Sequence, residues 1–420
     1  MGIFNKIFSS KKEGNYVLAL DIGTEYVKSL IFEVRAEEGK GYVIGVGIKK
    51  QKLGDMQSGA VTDIAGVYDA CEKAIVEAEE MAKVSPSQVI LGIAGELVKG
   101  KTTTVHYERS KPQSKIDISE LKNIIQKVQW KAFDKVRKEL SWETGFSELD
   151  VKLINAAIVD VRVDGYKVTN PLGFQGKDVS IATFNAYAPL VHLGALQSIA
   201  SELDLDLLSV ACQPYAVARC MGMENSVEFS AIFIDIGGGT TDVAVVRDGG
   251  IEGTKMFALG GRAFTKRLSQ ELGINFKDAE EIKIKYSQGD LSDDMMEKVK
   301  KALDSDCKVW LSGIELALSE FTNVDLLPSQ ILMCGGGSLL PGIKSSLLSK
   351  PWLENLPFAK EPRVYYIKPE DVTNIIDKTG KLKTQQDITP MALANLAIDL
   401  AGEEDPVHRI LRRAVQMIQT

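Results

Sequence analysis

The sequence predicts an α/β fold made of two related halves, with a smaller strand–helix–strand–strand unit inserted in the first. Three observations predict it. The run Tyr16-Val-Leu-Ala-Leu-Asp21-Ile-Gly23-Thr24, short, apolar and β-rich, ends in an aspartate and a glycine turn, and Ala231-Ile-Phe-Ile-Asp235-Ile-Gly237-Gly238-Gly239-Thr240 repeats it. A second pair follows in the same order, Pro86-Ser87-Gln88-Val89-Ile90-Leu91 and Pro328-Ser329-Gln330-Ile331-Leu332-Met333. Between residues 86 and 189 the apolar period changes from strand to helix and back to strand.

Along the chain, each glycine turn re-enters an apolar strand, 27–34 in the first copy and 242–246 in the second. A strand is expected at 89–94. Asp117, with Glu120 three residues on, makes a capping-box-like helix start. Leu121, Ile124, Ile125, Val128, Ala132 and Val136 then keep helical spacing to about Leu140. Strands at 154–163 and 179–187 complete the inserted unit, and 204–221 returns to the main sheet. Residues 285–321 read as charged helix, and 350–386, rich in Pro and Lys, as a loop-bearing surface segment. The expected division is 15–85 with 190–228 for the first half, 86–189 for the insertion, and 229–402 for the second half. Residues 285–321 form a small helical subdomain there. Residues 1–14 and 403–420 flank the folded part.

The chain has 420 residues, 45% apolar and 25% charged, enough for two or three domains at about 150 residues each. Lys and Arg number 50 against 57 Asp and Glu, a net charge of −7, which argues against nucleic acid as a partner. No run approaches the ~18 apolar residues of a membrane-spanning helix. Lys6, Lys11 and Lys12 interrupt the N-terminal stretch, which lacks the apolar core of a secretory signal. A cytoplasmic protein is expected. Five scattered cysteines, Cys71, Cys212, Cys220, Cys307 and Cys334, form no CxxC pair and read as reduced and mostly buried. The three histidines share no ligand spacing, so neither zinc chemistry nor a Ser/His/Asp triad is expected.

A strand ending in Asp-x-Gly-Thr points the backbone N–H groups of its turn forward, where with the threonine hydroxyl they suit phosphate oxygens. The aspartate would be repelled by phosphate, so its natural partner is Mg²⁺ held through water. Two such turns facing each other would clamp a triphosphate. Gly335, Gly336, Gly337 and Ser338, after the strand 331–334, offer a third close-approach surface suited to a base or ribose.

These residues carry a resemblance. Asp21-Ile-Gly-Thr-Glu-Tyr-Val-Lys28, Asp235-Ile-Gly-Gly-Gly-Thr-Thr-Asp242 and Gly335-Gly-Gly-Ser-Leu-Leu-Pro341-Gly342 resemble the phosphate and adenosine motifs of the actin, sugar-kinase and heat-shock-chaperone ATPases. Within that superfamily the chain resembles the bacterial cell-division actin homologue FtsA over about residues 15–400. Asn170-Pro171-Leu-Gly173, Ala279-Glu-Glu-Ile-Lys-Ile-Lys285 and the position of the insertion are similar to it. The resemblance implies two RNase H-like halves around a nucleotide cleft, with ATP and Mg²⁺ as cofactors. It implies that Asp21 and Asp235 organise the Mg²⁺ shell and that Lys28 reaches the β/γ-phosphates. Gly23, Thr24, Gly237, Gly238, Gly239, Thr240 and Thr241 would meet the phosphates, and Gly260, Gly261 and Lys283 the sugar and base. Gln213 stands where the superfamily orients attacking water; a polar residue closing a strand before Pro214 is the other reading. Lys28 reads alternatively as a solvated strand-edge lysine. The implied activity is a slow ATPase at most, in a scaffold that polymerises with itself.

Two further expectations concern the ends and the partner. From Asp405, Val407, Ile410, Leu411, Ala414 and Ile418 fall on one helical face, and Arg409, Arg412, Arg413 and Gln416 on the other. That is the pattern of an anchor on an anionic membrane surface, peripheral on the inner face, or of a helix docked on the protein itself. Ile3, Phe4, Ile7 and Phe8 with the three lysines make a second short candidate. An FtsA usually carries a small sheet between the second phosphate turn and the adenosine turn that docks the tail of the tubulin homologue FtsZ, whereas 286–321 reads here as helix. PilM, of type IV pilus assembly, shares the fold and the insertion and is the alternative, with pilus assembly proteins as partners. A small-molecule kinase would need a catalytic base. Asp242 is the only aspartate suitably placed, and its position in the second motif already accounts for it.

Overall fold

The computed structural model describes residues 15–94, 98–144, 150–222, 229–322 and 324–401, with side chains of 139–144 excepted. The segments expected to meet the membrane, 1–14 and 403–420 with Val407, Arg409, Ile410, Leu411, Arg412, Arg413 and Ile418, lie outside the described residues.

The chain opens with β1 (Tyr16–Ile22), β2 (Tyr26–Arg35) and β3 (Lys40–Lys50), an antiparallel meander whose alternating side chains bury an almost wholly apolar face. A small hairpin, β4 (Met56–Gln57) and β5 (Ala60–Val61), leads into α1 (Ile64–Ala82). Asp63 caps α1 by accepting from the N–H groups of Ala65 and Gly66. This helix lies directly on β3: a Cβ at Gly45 would stand 2.3 Å from the Ala78 carbonyl oxygen, and one at Gly47 1.8 Å from that of Ala74. β6 (Gln88–Ile93) then pairs parallel to β1.

The insertion consists of β7 (Lys99–Glu108), α2 (Ile118–Thr144), β8 (Val151–Val163), β9 (Tyr166–Lys167) and β10 (Asp178–Pro189). Its own core lies between α2 and the sheet, with Leu121, Ile124, Ile125, Val128 and Val136 packed over Val179, Ile181 and Tyr187. The α2 start has Asp117 accepting from the Glu120 N–H at 2.8 Å. The Glu120 carboxylate does not complete a capping box; it takes a two-pronged bond from the buried Arg109 guanidinium instead. The chain returns through α3 (Leu190–Glu202), β11 (Asp206–Cys212) and α4 (Gln213–Arg219). The Phe184 ring of β10 stacks on Tyr215 of α4 at 5.0 Å, fastening insertion to first half.

The second half repeats the meander as β12 (Ala231–Ile236), β13 (Thr241–Arg247) and β14 (Gly250–Phe257). Three helices follow, α5 (Gly261–Leu272), α6 (Phe276–Gln288) and α7 (Asp293–Ser319), then β15 (Gln330–Cys334), α8 (Pro341–Leu347) and β16 (Arg363–Tyr366). Last come β17 (Ile375–Asp377) and α9 (Ile388–Ala401).

The strand orders make the duplication explicit. The first sheet runs β11-β6-β1-β2-β3-β17, and the second begins β16-β15-β12-β13-β14. In each, an antiparallel meander is extended on its first strand by two parallel strands. The insertion's strands continue the second sheet beyond β14 through a short β14–β7 pairing at Gly253–Lys101 and Thr254–Gly100.

Three expectations are corrected. The strand at 88–93 belongs to the first half's sheet, as its nearly continuous burial requires of a central parallel strand. The insertion's own first strand is β7. The second half does not run to residue 402: β17 pairs with β3, and α9, buried along nearly its whole length, packs against the first half. The 350–386 segment is more than loop, because it supplies one strand to each sheet. All five cysteines are buried and free.

Candidate functional site

The two strand ends β1 and β12 meet at one cavity of about 470 Å³ between the halves, within the usual range for a small-molecule site. The two glycine turns touch: a Cβ at Gly238 would lie 2.8 Å from Cβ of Glu25, and one at Gly239 2.7 Å from the Thr24 hydroxyl. Glycine suits both positions because a Cβ would run into the Glu25 Cβ and the Thr24 side chain of the facing turn.

The cavity is lined by Asp21, Gly23, Thr24 and Lys28 of the first half, Gln213 of α4, and Asp235, Gly237, Gly238 and Thr240 of the second half. Gly261, Lys283, Gly335, Gly336 and Gly337 complete its far side. Four expected residues stand elsewhere. Gly239 faces the other side of the turns, and Gly260 packs behind the second turn, where a Cβ would be 2.6 Å from the Gly237 oxygen. Thr241 is wholly buried on β13; it donates to the Leu259 carbonyl at 2.6 Å and accepts from the Trp310 indole at 3.0 Å. Ser338 is buried and donates to the Gly335 carbonyl, holding the third turn in shape. Strand alternation explains Thr241: adjacent residues on β13 face opposite ways, so Asp242 reaches the cavity and Thr241 the core.

The electrostatics are those of clustered buried acids. Burial pushes the Asp21 carboxyl up to about 6, with Lys28 pulling it down, Asp235 adding to the rise, and the Gln213 amide, which donates to Asp21 at 2.7 Å, opposing it. Burial also raises Asp235, against the Thr389 hydroxyl that donates to it at 2.6 Å. Asp242 is raised well above the usual range by burial and by the other two aspartates. Its Oδ1 is buried without a hydrogen-bond partner. Lys28 points into the cavity and donates to the Gln386 carbonyl rather than lying on a solvated edge. A divalent cation fits such a cluster, because it removes the repulsion and gives the orphan oxygen a water to accept from. Among the described residues no three His, Cys, Asp or Glu converge for direct ligation, so a shell completed by water suits the donor set.

Several lining residues were not anticipated. Glu280, Ile284, Ser287 and Gln288 come from α6, and Thr384, Gln386 and Thr389 from the crossover into α9. Lys283 is held by Glu280 at 2.7 Å, Thr265 at 2.8 Å and the Gly261 carbonyl at 3.0 Å, so it braces the wall with its charge already paired. The Ala279–Lys285 run carried a signal for this wall. Nothing local marked the 384–389 side.

Comparison with known proteins agrees with this architecture. Residues 232–375 match the family model of the cell division protein FtsA. The chain is 26% identical over 351 residues to the cell division protein FtsA of Streptococcus pneumoniae, covering 79% of this chain and 72% of that one. It is 23% identical over 438 residues to that of Pseudomonas aeruginosa, covering 97% and 99%. The chain is similar to the FtsA proteins. Among solved structures, the PilM–PilN type IV pilus biogenesis complex superposes with a TM-score of 0.64 at 15% identity, over 91% of this chain and 98% of that one. The fold is therefore the duplicated actin-like ATPase fold that the FtsA resemblance implied.

Proposed function

We propose that this FtsA-like chain is a Mg·ATP-binding scaffold that polymerises with itself and tethers a cell-division assembly to the inner face of the cytoplasmic membrane. The observation that carries the reading is the convergence of Asp21 and Asp235, one from each half, on a single cavity with Lys28. Bound between the halves, ATP would place its phosphates on the Gly23–Thr24 and Gly237–Thr240 turns and its base toward α6 and Gly335–Gly337. Asp21 and Asp235 would hold Mg²⁺ through water. Phosphoryl transfer in such a site is positioning and electrostatics, and Gln213, already bonded to Asp21, would orient the attacking water. Turnover would be slow, with ATP chiefly fixing the angle between halves.

The polymer is tested by sedimentation with and without Mg·ATP, expected to pellet only with nucleotide. The tether is assigned to the basic amphipathic stretch 403–420, with 1–14 as a second contact. Deleting 405–420 should reduce co-sedimentation with anionic vesicles; full retention by the truncated chain would remove that assignment. No helix among the described residues is long and apolar enough to cross a membrane.

One observation favours a second reading. Between β14 and β15 the regular elements among the described residues are helices alone, α5 to α7, where an FtsA-type docking sheet for FtsZ is expected. A PilM-like scaffold of pilus assembly accommodates this. Pull-down with the FtsZ tail and with pilus assembly subunits, Mg·ATP present, separates the two: retention of the FtsZ tail supports division, retention of pilus subunits the alternative.

A further inference from the structure

Arg262, the second residue of α5, joins both glycine turns at once. Its backbone N–H donates to the Gly238 carbonyl of the second turn at 2.7 Å. Its guanidinium crosses to the first half, donating to the Thr24 carbonyl at 2.6 Å and to the Glu25 carboxylate at 2.7 Å. It further donates to the carbonyls of Met56 at 3.0 Å and Leu53 at 3.3 Å, at the root of the β4–β5 hairpin. The Arg262 and Glu25 side chains are 16% and 11% exposed, so water screens this pair little, and a charged fork that serves four acceptors is among the stronger polar contacts a protein makes. Lys50 holds the other Glu25 oxygen at 3.1 Å. Arg262 is thus fixed by its backbone to the turn of one half while its guanidinium bonds the turn of the other.

We propose that Arg262 is a positioning residue that latches the halves over the phosphate turns, so that nucleotide escapes only when the latch opens. The inference rests on the nucleotide reading of the cavity and deepens it by naming what controls exchange. Any rotation that separates the halves must draw α5 away from Thr24 and Glu25. That motion exposes the Thr24, Leu53 and Met56 carbonyls and leaves a carboxylate paired only with Lys50. Lysine at 262 could keep the Glu25 pair but, as a single ammonium, could not span the three carbonyls.

The test is stopped-flow release of a fluorescent ATP analogue from the full chain with Mg²⁺. Arg262→Ala should release it at least about tenfold faster, with the association rate constant within about twofold of the parent. Glu25→Gln should act in the same direction, and the double variant should be no faster than Arg262→Ala alone, because the two share one contact. Arg262→Lys should fall between. A parent-like release rate in both single variants overturns the latch while the nucleotide reading stands. A parent protein that binds no adenine nucleotide overturns that reading and the latch with it. If Arg262→Ala does not fold, Glu25→Gln and Arg262→Lys carry the same comparison.

Discussion

Asp21 sits where folding and function pull in opposite directions. Its carboxyl titrates near 6 in the folded chain against about 3.9 when unfolded. A raised folded value means that the unfolded chain gives up its proton first, so stability falls as pH rises from about 4 to about 6 and the loss is complete above that. Asp21→Asn, which keeps an oxygen for the Gln213 amide, should therefore raise stability by about 3 kcal/mol at pH 7–8. The gain should shrink toward zero near pH 4, as chemical denaturation across that range would show. A gain independent of pH would contradict burial as the cause. The same variant should lose Mg·ATP, since the destabilising charge is the one a cation would compensate. Thr241 is the converse case. Thr241→Val orphans the Trp310 N–H and the Leu259 carbonyl and should cost about 1–3 kcal/mol, while nucleotide affinity stays at the parent value. A large loss of affinity in a variant of parent-like stability would return Thr241 to the binding site.

At the scale of elements, the duplicated meanders were legible because their strands are buried, apolar and local, and each ends in its own glycine turn. The β7 strand was not. Lys99-Gly-Lys-Thr-Thr-Thr-Val-His-Tyr-Glu108 places few apolar side chains on its inner face, and it becomes a strand by pairing along its whole length with β10, some 80 residues away. The sequence places β17 and α9 with the second half for a related reason. Chain order keeps them with the second half, but a helix with apolar residues on all sides must be covered nearly all round, and the first half offers that surface. The site was legible to the same extent. Asp21, Lys28, Asp235 and the glycine turns carry local patterns, whereas the Arg262 latch and the Thr389 bond to Asp235 exist only through contacts between distant segments. One packing consequence is directly testable. Gly47 of β3 lies against the α1 backbone at Ala74, so Gly47→Ala forces helix and sheet apart and should destabilise by about 1–3 kcal/mol in denaturant melts. Ala74→Gly leaves the clashing Ala74 carbonyl in place and should not rescue it. Restored stability in that pair would mean that side chains set the spacing.

For the whole molecule, the two sheets share one architecture and meet at one acidic cavity, and the carboxylates of that cavity are paired with less positive charge than they need. A ligand bringing Mg²⁺ and phosphates therefore fits both the charge and the turns, and it binds the folded state alone. At a hundredfold excess over its dissociation constant such a ligand adds about 2.7 kcal/mol, visible as a rise in melting temperature that vanishes when Mg²⁺ is chelated. Affinity should also strengthen between pH 5 and 7, because the cation competes with the Asp21 proton. The most direct measurement is calorimetric titration of Mg·ATP into the parent chain and into Asp21→Asn and Asp235→Asn. The account predicts one site per chain, with binding lost in both variants although one substitution lies in each half. Binding unchanged in either variant, or no heat with the parent, would contradict it.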